Sequence, residues 1–312
     1  MRAIRWMLCG VLAMAVTAGA WAQEDKAAEK APEKIDLKIN YEPGSYVVTK
    51  NVTMNVERGG EQAAKSQIQS QMIMDMVVGK PDASGNRELD VTYREVRFER
   101  KDGEQTEKFD SAEGKHSELP MGKMFEGMVG KKITVTVDPH GKVSQIKGVD
   151  EMVAAMLKNA GVEADRAAAI KESFGDRMVK ETFAQMFAMP GKPVGKGDTW
   201  ESTDKDVVLP LVGATQFKQT ATLKDIKDGV ATIAITGTLH SAGAETPAGG
   251  PAVKVNSLDV SGTMTMDIAT GMVKHADVTQ KGDLTLTTGE GEAKKEHKIT
   301  LNGRTITTVE KK

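Results

Sequence analysis

The sequence predicts an α+β fold: a mainly antiparallel, strongly curved β-sheet, a meander or half-barrel, with two central helices packed on it. Three observations carry this. Convincing helical periodicity is confined to one stretch, Val149 to Pro190. Runs of period-two alternation flank it, beginning at Ile35 on one side and after Trp200 on the other. Short polar turns join those runs, the connection that antiparallel strands use.

In the helical stretch, Val149, Met152, Val153, Met156, Leu157 and Ala160 fall on one face of a helix. Asp150 suits the first turn, and Gly161 follows the last periodic residue as a stop. A second helix is predicted from Asp165, with Ile170, Phe174 and Met178 on one stripe. Val179, Phe183, Met186 and Phe187 continue it, and Pro190 ends it. Three of the seven phenylalanines lie there, so the faces need a partner, and the flanking sheet is the nearest one. Met152, Met156, Phe174, Met178, Phe183, Met186 and Phe187 are the candidate wall of a hydrophobic-ligand site. A helix–sheet core explains the same stripes without any ligand.

Met1–Ala22 reads as a signal peptide: Arg2 and Arg5, a short apolar run, then Ala20-Trp21-Ala22 before Gln23. The run is too short to span a bilayer, which needs about 20 residues. Export to the periplasm or beyond is therefore expected, and the single cysteine, Cys9, leaves with the leader. Residues 23–34, charged and without apolar period, are expected to form a disordered leader. Residues 35–148 form a first β block, 149–190 the helical pair and 191–312 a second β block, with 35–312 one compact unit. The net charge of −2 gives no nucleic-acid footprint. No later segment reads as a transmembrane helix.

In the first block, Leu37 and Ile39 alternate with polar residues, and a long strand runs from Tyr46 to Val56. Ile68 to Val78 and Leu89 to Phe98 follow, with a phase change near Arg94-Glu95 that suggests a bulge. A polar loop spans Asp110 to Pro120, and Met121, Met124, Phe125 and Met128 predict a helical turn or two. Asp138-Pro-His-Gly141 joins a hairpin. In the second block, Lys227-Asp228-Gly229 and Ala269-Thr270-Gly271 are turns. The last strand, Ile299 to Val309, is expected to break at Asn302-Gly303. The Asp-to-Gly turns at 138–141 and 267–271 echo one another, as do Gly44-x-Tyr46 and Gly197-x-x-Trp200. A degenerate duplication is one reading of this echo; chance recurrence of small turn motifs is the other.

Met72-x-Met74-x-Met76 has ligands soft enough for Cu(I), but alternate strand residues share a face and methionine fills cores. The core reading is preferred, and no metal or cofactor is expected. The five histidines show no metal-ligand spacing, and no nucleophile elbow, phosphate loop or dinucleotide fingerprint occurs. Asp198 is expected to accept backbone hydrogen bonds while Trp200 packs inward.

The order of features resembles a family of exported bacterial domains of unknown function. It runs through a leader, a Gly-x-Tyr strand, a meander, a strand–Asp-x-x-Gly–strand unit, two helices, and Pro193-Val194-x-x-Gly197-Asp198-x-Trp200. The resemblance covers nearly all of residues 23–312 and brings no catalytic residues. The curved sheet with helices in its concavity is also similar to the periplasmic lipoprotein-carrier fold, which implies a half-barrel. The expectation is a non-enzymatic envelope protein that binds a lipid or other hydrophobic molecule. The alternative is a module that binds another envelope protein through a sheet edge or an exposed patch.

Overall fold

A computed structural model describes residues 34–60, 63–114, 120–163, 189–209, 213–241, 252–288 and 295–312. Among these residues the chain forms twelve strands, two α-helices and one 3-10 turn. The first half holds β1 (Gly44–Arg58), β2 (Ala64–Val78), β3 (Arg87–Asp102) and β4 (Gln105–Asp110). Then come α1 (Pro120–Met128), β5 (Lys132–Val137), β6 (Val143–Lys147) and α2 (Val149–Asn159). The second half holds β7 (Thr199–Leu209), β8 (Gly213–Lys227) and β9 (Val230–Ser241). It ends with β10 (Ala252–Asp267), β11 (Val273–Thr288) and β12 (Lys295–Lys311).

All strands join one open, curved antiparallel sheet, ordered β6-β5-β3-β2-β1-β12-β11-β10-β9-β8-β7, with β4 beside β3. It is an up-and-down meander whose first and last strands pair and whose seam lies open between β6 and β7. Tyr46 pairs with Lys311 and Arg58 with Ile299, so that closure runs the length of β1. Six strands precede α2 and six follow. That equality alone does not make a duplication.

Period-two alternation sorts the side chains. On β11, Ala276, Val278, Gln280, Leu284 and Leu286 are buried while Lys281 and Asp283 are exposed. Among the described side chains the buried phase faces the concavity, and one continuous apolar core results. The convex face carries the polar phase, in which Arg304 holds Asp277 at 2.5 Å and Lys132 holds Asp90 at 2.8 Å.

The expected bulge in β3 is present. The register against β2 shifts between Ile73 and Met74, which leaves Arg94 unpaired in the ladder. Both second-block turns are also present, and Asp228 and Gly229 take positive φ as a tight hairpin requires. The expected break at Asn302-Gly303 does not occur: β12 runs straight through it. Pairing with β1 and β11 on both sides holds those two residues extended. Gly303 lies beside the buried Gln280 side chain, 3.9 Å from where a β-carbon would sit. Gln105–Asp110 is a strand that the sequence reading did not place, because Phe109 is its only large apolar residue.

The helix over Val149–Asn159 forms as expected, with Val149, Met152, Val153 and Leu157 buried. It crosses α1 at Gly127, where a β-carbon would lie 2.7 Å from Met156 Cα, so only glycine permits that approach.

Residues 35–41 behave differently from the rest of the first block. Leu37, Ile39 and Tyr41 are buried in alternation, yet the segment adds no strand to the sheet. It straps together three separate loops. Ile35 exchanges both backbone hydrogen bonds with Val194 at 2.8 Å. Ile39 N–H donates to Pro139 O at 2.8 Å, and Asn40 N–H to Thr270 O at 2.9 Å. The two echoed Asp-to-Gly turns are thus the supports of this strap. Asp138 accepts the amides of His140 and Lys142, and Asp267 accepts that of Thr270. A β-carbon on Gly271 would collide with Lys38 O, so the strap can cross there only over glycine.

Candidate functional site

On β1 the inward phase reads Tyr46, Val48, Lys50, Val52, Met54 and Val56. Lys50 is the one charge in it. Antiparallel register sets Lys50 beside Met72 of β2 and Thr307 of β12. One step along, Val48 lies beside Met74 and Val309, and Met74 in turn beside Tyr93 of β3. Val48, Lys50, Met74, Val91, Tyr93 and Thr307 are all half-buried, whereas Val52, Met54, Met72 and Met76 beside them are sealed. This is a patch of apolar surface with a cation in it.

The electrostatics of the patch follow from its surroundings. Lys50 is half-buried among apolar side chains, and burial pushes its ammonium pKa from 10.5 down to about 8. Among the described residues no carboxylate pairs with it. Burial likewise raises the Tyr93 hydroxyl above its ordinary value. Lysine can shed a proton or accept an anion here, and both relieve the same desolvation.

At the end of the concavity, beneath the strap, lies a second cation. Arg87 opens β3 in the phase of Leu89 and Val91 and is only 7% exposed. Its Nη2 donates to Asn40 Oδ1 of the strap at 2.6 Å. Its Nε and Nη1 are buried without an acceptor, and orphaned donors of this kind are costly. A third inward cation, Arg100, is neutralised by Asp102, which also accepts from Ser66, and by the nearby Glu107.

Other carboxylates have structural partners. Arg304 beside Asp277 holds that carboxyl below its usual range, and Asn86 does the same for Asp82 in the β2–β3 turn. Asp198 accepts from Gly195 N–H at 2.9 Å, and Trp200 is buried, both as the sequence suggested. Met72 and Met76 are buried in the core, and Met74 sits half-buried between Val48 and Tyr93.

Of the predicted ligand-wall residues, Met152 is buried on α2 and Met156 is half-buried against the core. Phe174, Met178, Phe183, Met186 and Phe187 lie outside the described residues. The structure adds Lys50 and Arg87, which the sequence reading passed over. The signal for both was a charged residue in the apolar phase of a strand, as in Tyr46-x-Val48-x-Lys50-x-Val52.

The sequence profile of DUF6263, a family of unknown function, matches residues 84–273. The chain belongs to the DUF6263 family. No curated protein matches it significantly. Among solved structures, the DUF6263 chain is similar to lipovitellin at 9% identity and a TM-score of 0.45, over 87% of its own length. It spans about a quarter (25%) of that much longer chain. The β domain of the Bordetella autotransporter BrkA aligns over 84% of this chain and 98% of its own, at 11% identity and a TM-score of 0.19. Pseudomonas aeruginosa OccK11 aligns over 87% and 98%, at 8% identity and a TM-score of 0.18. Likenesses this distant do not bear on activity. Among the described residues, no helix is long and apolar enough to cross a membrane.

Proposed function

We propose that this DUF6263 protein is an exported, non-enzymatic envelope protein that holds a hydrophobic or amphipathic small molecule against its concave face. The observation that carries the reading is the half-buried patch around Lys50. Apolar side chains facing a concavity are ordinarily sealed in a core, and here most are, but Val48, Met74, Val91 and Tyr93 around Lys50 are only half-buried. The site is built on long paired strands, which suits retention of a ligand better than loops do. The carboxylates assigned to turns and to convex ion pairs have structural work already, which favours binding over catalysis.

The test starts with protein purified without detergent from the envelope of an expressing bacterium, analysed by native mass spectrometry and solvent extraction. A co-purifying hydrophobic molecule is expected, together with processing to Gln23. Met74→Glu, with unchanged circular dichroism, should lose the molecule. A clean apo mass, with no uptake of oleyl alcohol afterwards, would overturn the reading. A second reading rests on the sheet's two edges, β6 and β7, which have no outer neighbour among the described residues. An unpaired edge can take a strand from another protein. Cross-linked peptides from a partner mapping to 143–147 or 199–209, with no bound small molecule, would favour it.

A further inference from the structure

Two of the inward cations stand apart from the others. Among the described side chains, the inward phase carries Lys50, Arg87 and Arg100, the carboxylates Asp102 and Glu107 beside Arg100, and Arg58 and Lys311 at strand ends. Arg100 is paired, whereas among the described residues Lys50 and Arg87 have no carboxylate partner. An isolated buried cation costs several kcal/mol unless something neutralises it. The described acids near them have other partners: Asp102 and Glu107 lie beside Arg100, while Asp277 pairs with Arg304 and Asp90 with Lys132 on the convex face.

Of the two cations, Lys50 is the one a ligand can reach. Arg87 Nε and Nη1 are sealed beneath the strap, whereas Lys50 is half-buried within the open patch. Its neighbours suit an amphiphile. Thr307, beside it on β12, offers a hydroxyl to an anionic oxygen, and the half-buried Val48, Met74 and Tyr93 present apolar surface one step along, over the buried Met72.

We propose that Lys50 is the head-group anchor of the concave site, and that the ligand is an anionic amphiphile whose carboxylate or phosphate lies on the Lys50 ammonium while its chain covers Met74 and Tyr93. This rests on the hydrophobic-ligand reading above and narrows it to one class. The shared chemistry is a tetrahedral or planar anion carried on an apolar chain. Burial of Lys50 supplies a linked signature: the free ammonium titrates near pH 8, so anion binding above that pH must draw a proton onto the protein.

The experiment is isothermal titration calorimetry with monomeric oleate and with oleyl alcohol, which differ only in the head group, on wild type, Lys50→Met and Arg87→Gln. Wild type should prefer oleate by at least about tenfold, the effect of one well-made charged contact. At pH 8.5 oleate binding should take up protons, read from buffers of different ionisation enthalpy. Lys50→Met removes a desolvated charge, so it should fold at least as well as wild type. It should bind oleyl alcohol normally and lose both the preference and the proton uptake. Equal affinity for the two probes in wild type would overturn the anionic assignment and leave the hydrophobic-ligand reading intact. Loss of preference in Arg87→Gln but not in Lys50→Met would overturn the anchor. If inorganic phosphate alone gave the same proton uptake at the same affinity as oleate, the site would be one for a free anion, and the amphiphile would be refuted. Failure of both probes to bind would instead refute the underlying reading.

Discussion

On β8 to β11 the inward residues Phe217, Leu223, Ile233, Val260 and Val278 are at most 2% exposed, whereas on β1 to β3 the inward Val48, Lys50, Met74, Val91 and Tyr93 stay half-buried. Both regions belong to one sheet, alternate with the same period and turn the same kind of face toward the concavity. They differ in side-chain type. The sealed side is built from branched aliphatics and phenylalanine, which pack in few rotamers. The half-buried patch adds methionine, tyrosine and lysine to two valines, and these longer side chains adapt to what lies against them. The period-two pattern specifies which face turns inward. The residues within that phase decide whether the face becomes core or surface for something else.

The comparison breaks most visibly in stability. Phe217→Ala on the sealed side should cost about 3–5 kcal/mol, because the sheet around it cannot collapse into the cavity left behind. Met74→Ala should cost only about 1–2 kcal/mol, since part of that side chain already faces solvent or ligand. Chemical denaturation of both variants measures the difference. Equal costs would mean that the two regions are packed alike, and the argument for a site would fall with the contrast.

Lys50 sharpens the comparison through pH. Its depression from 10.5 to about 8 corresponds to roughly 3 kcal/mol held against folding at neutral pH, an upper figure because solvent still reaches part of the side chain. Lys50→Met should therefore stabilise the protein by about 1–3 kcal/mol at pH 7. Below pH 8 both states are protonated, and the wild-type folded state bears the whole cost. Between pH 8 and 10.5 the folded state has released its proton while the unfolded state keeps it, so wild-type stability rises. The gap to Lys50→Met should close over that window. A gap that stays constant with pH would show that the lysine is solvated.

The sheet, its turns and α2 were legible because each rests on local rules: alternation, Asp-x-x-Gly turns, and the spacing of Val149, Met152, Val153 and Leu157. The failures have a common cause in tertiary pairing. Asn302-Gly303 carries strong turn chemistry, but two neighbouring strands hold it extended. Residues 35–41 alternate like a strand, and the burial follows, but their hydrogen bonds go to loops far away in the chain. The site was harder still. The sequence search for chemistry looked for motifs and apolar stripes, and it missed single cations placed in an apolar phase. Lys50 becomes informative only when the register shows Thr307, Met72 and no carboxylate around it.

The smallest effect concerns the strap that closes one end of the half-open side. Asn40 is exposed, and its Oδ1 accepts from Arg87 Nη2 at 2.6 Å. Asn40→Asp keeps the shape of that contact and turns a neutral acceptor into a charged one, a gain of about 1 kcal/mol for a hydrogen-bonded pair of this kind. The substitution gives up one weak contact, Asn40 Nδ2 to Ala269 O at 3.4 Å, which offsets little. The new carboxyl would titrate below its unfolded value because the guanidinium favours its ionised form. The added stability should therefore be present at pH 7 and disappear as pH falls through the acid range, while wild type lacks that component. Thermal melts of the two proteins at pH 7 and pH 3 read it directly. Destabilisation at pH 7 would mean that Arg87 already has its charge answered, and that the strap holds the concavity shut by its backbone contacts to Pro139 and Thr270 alone.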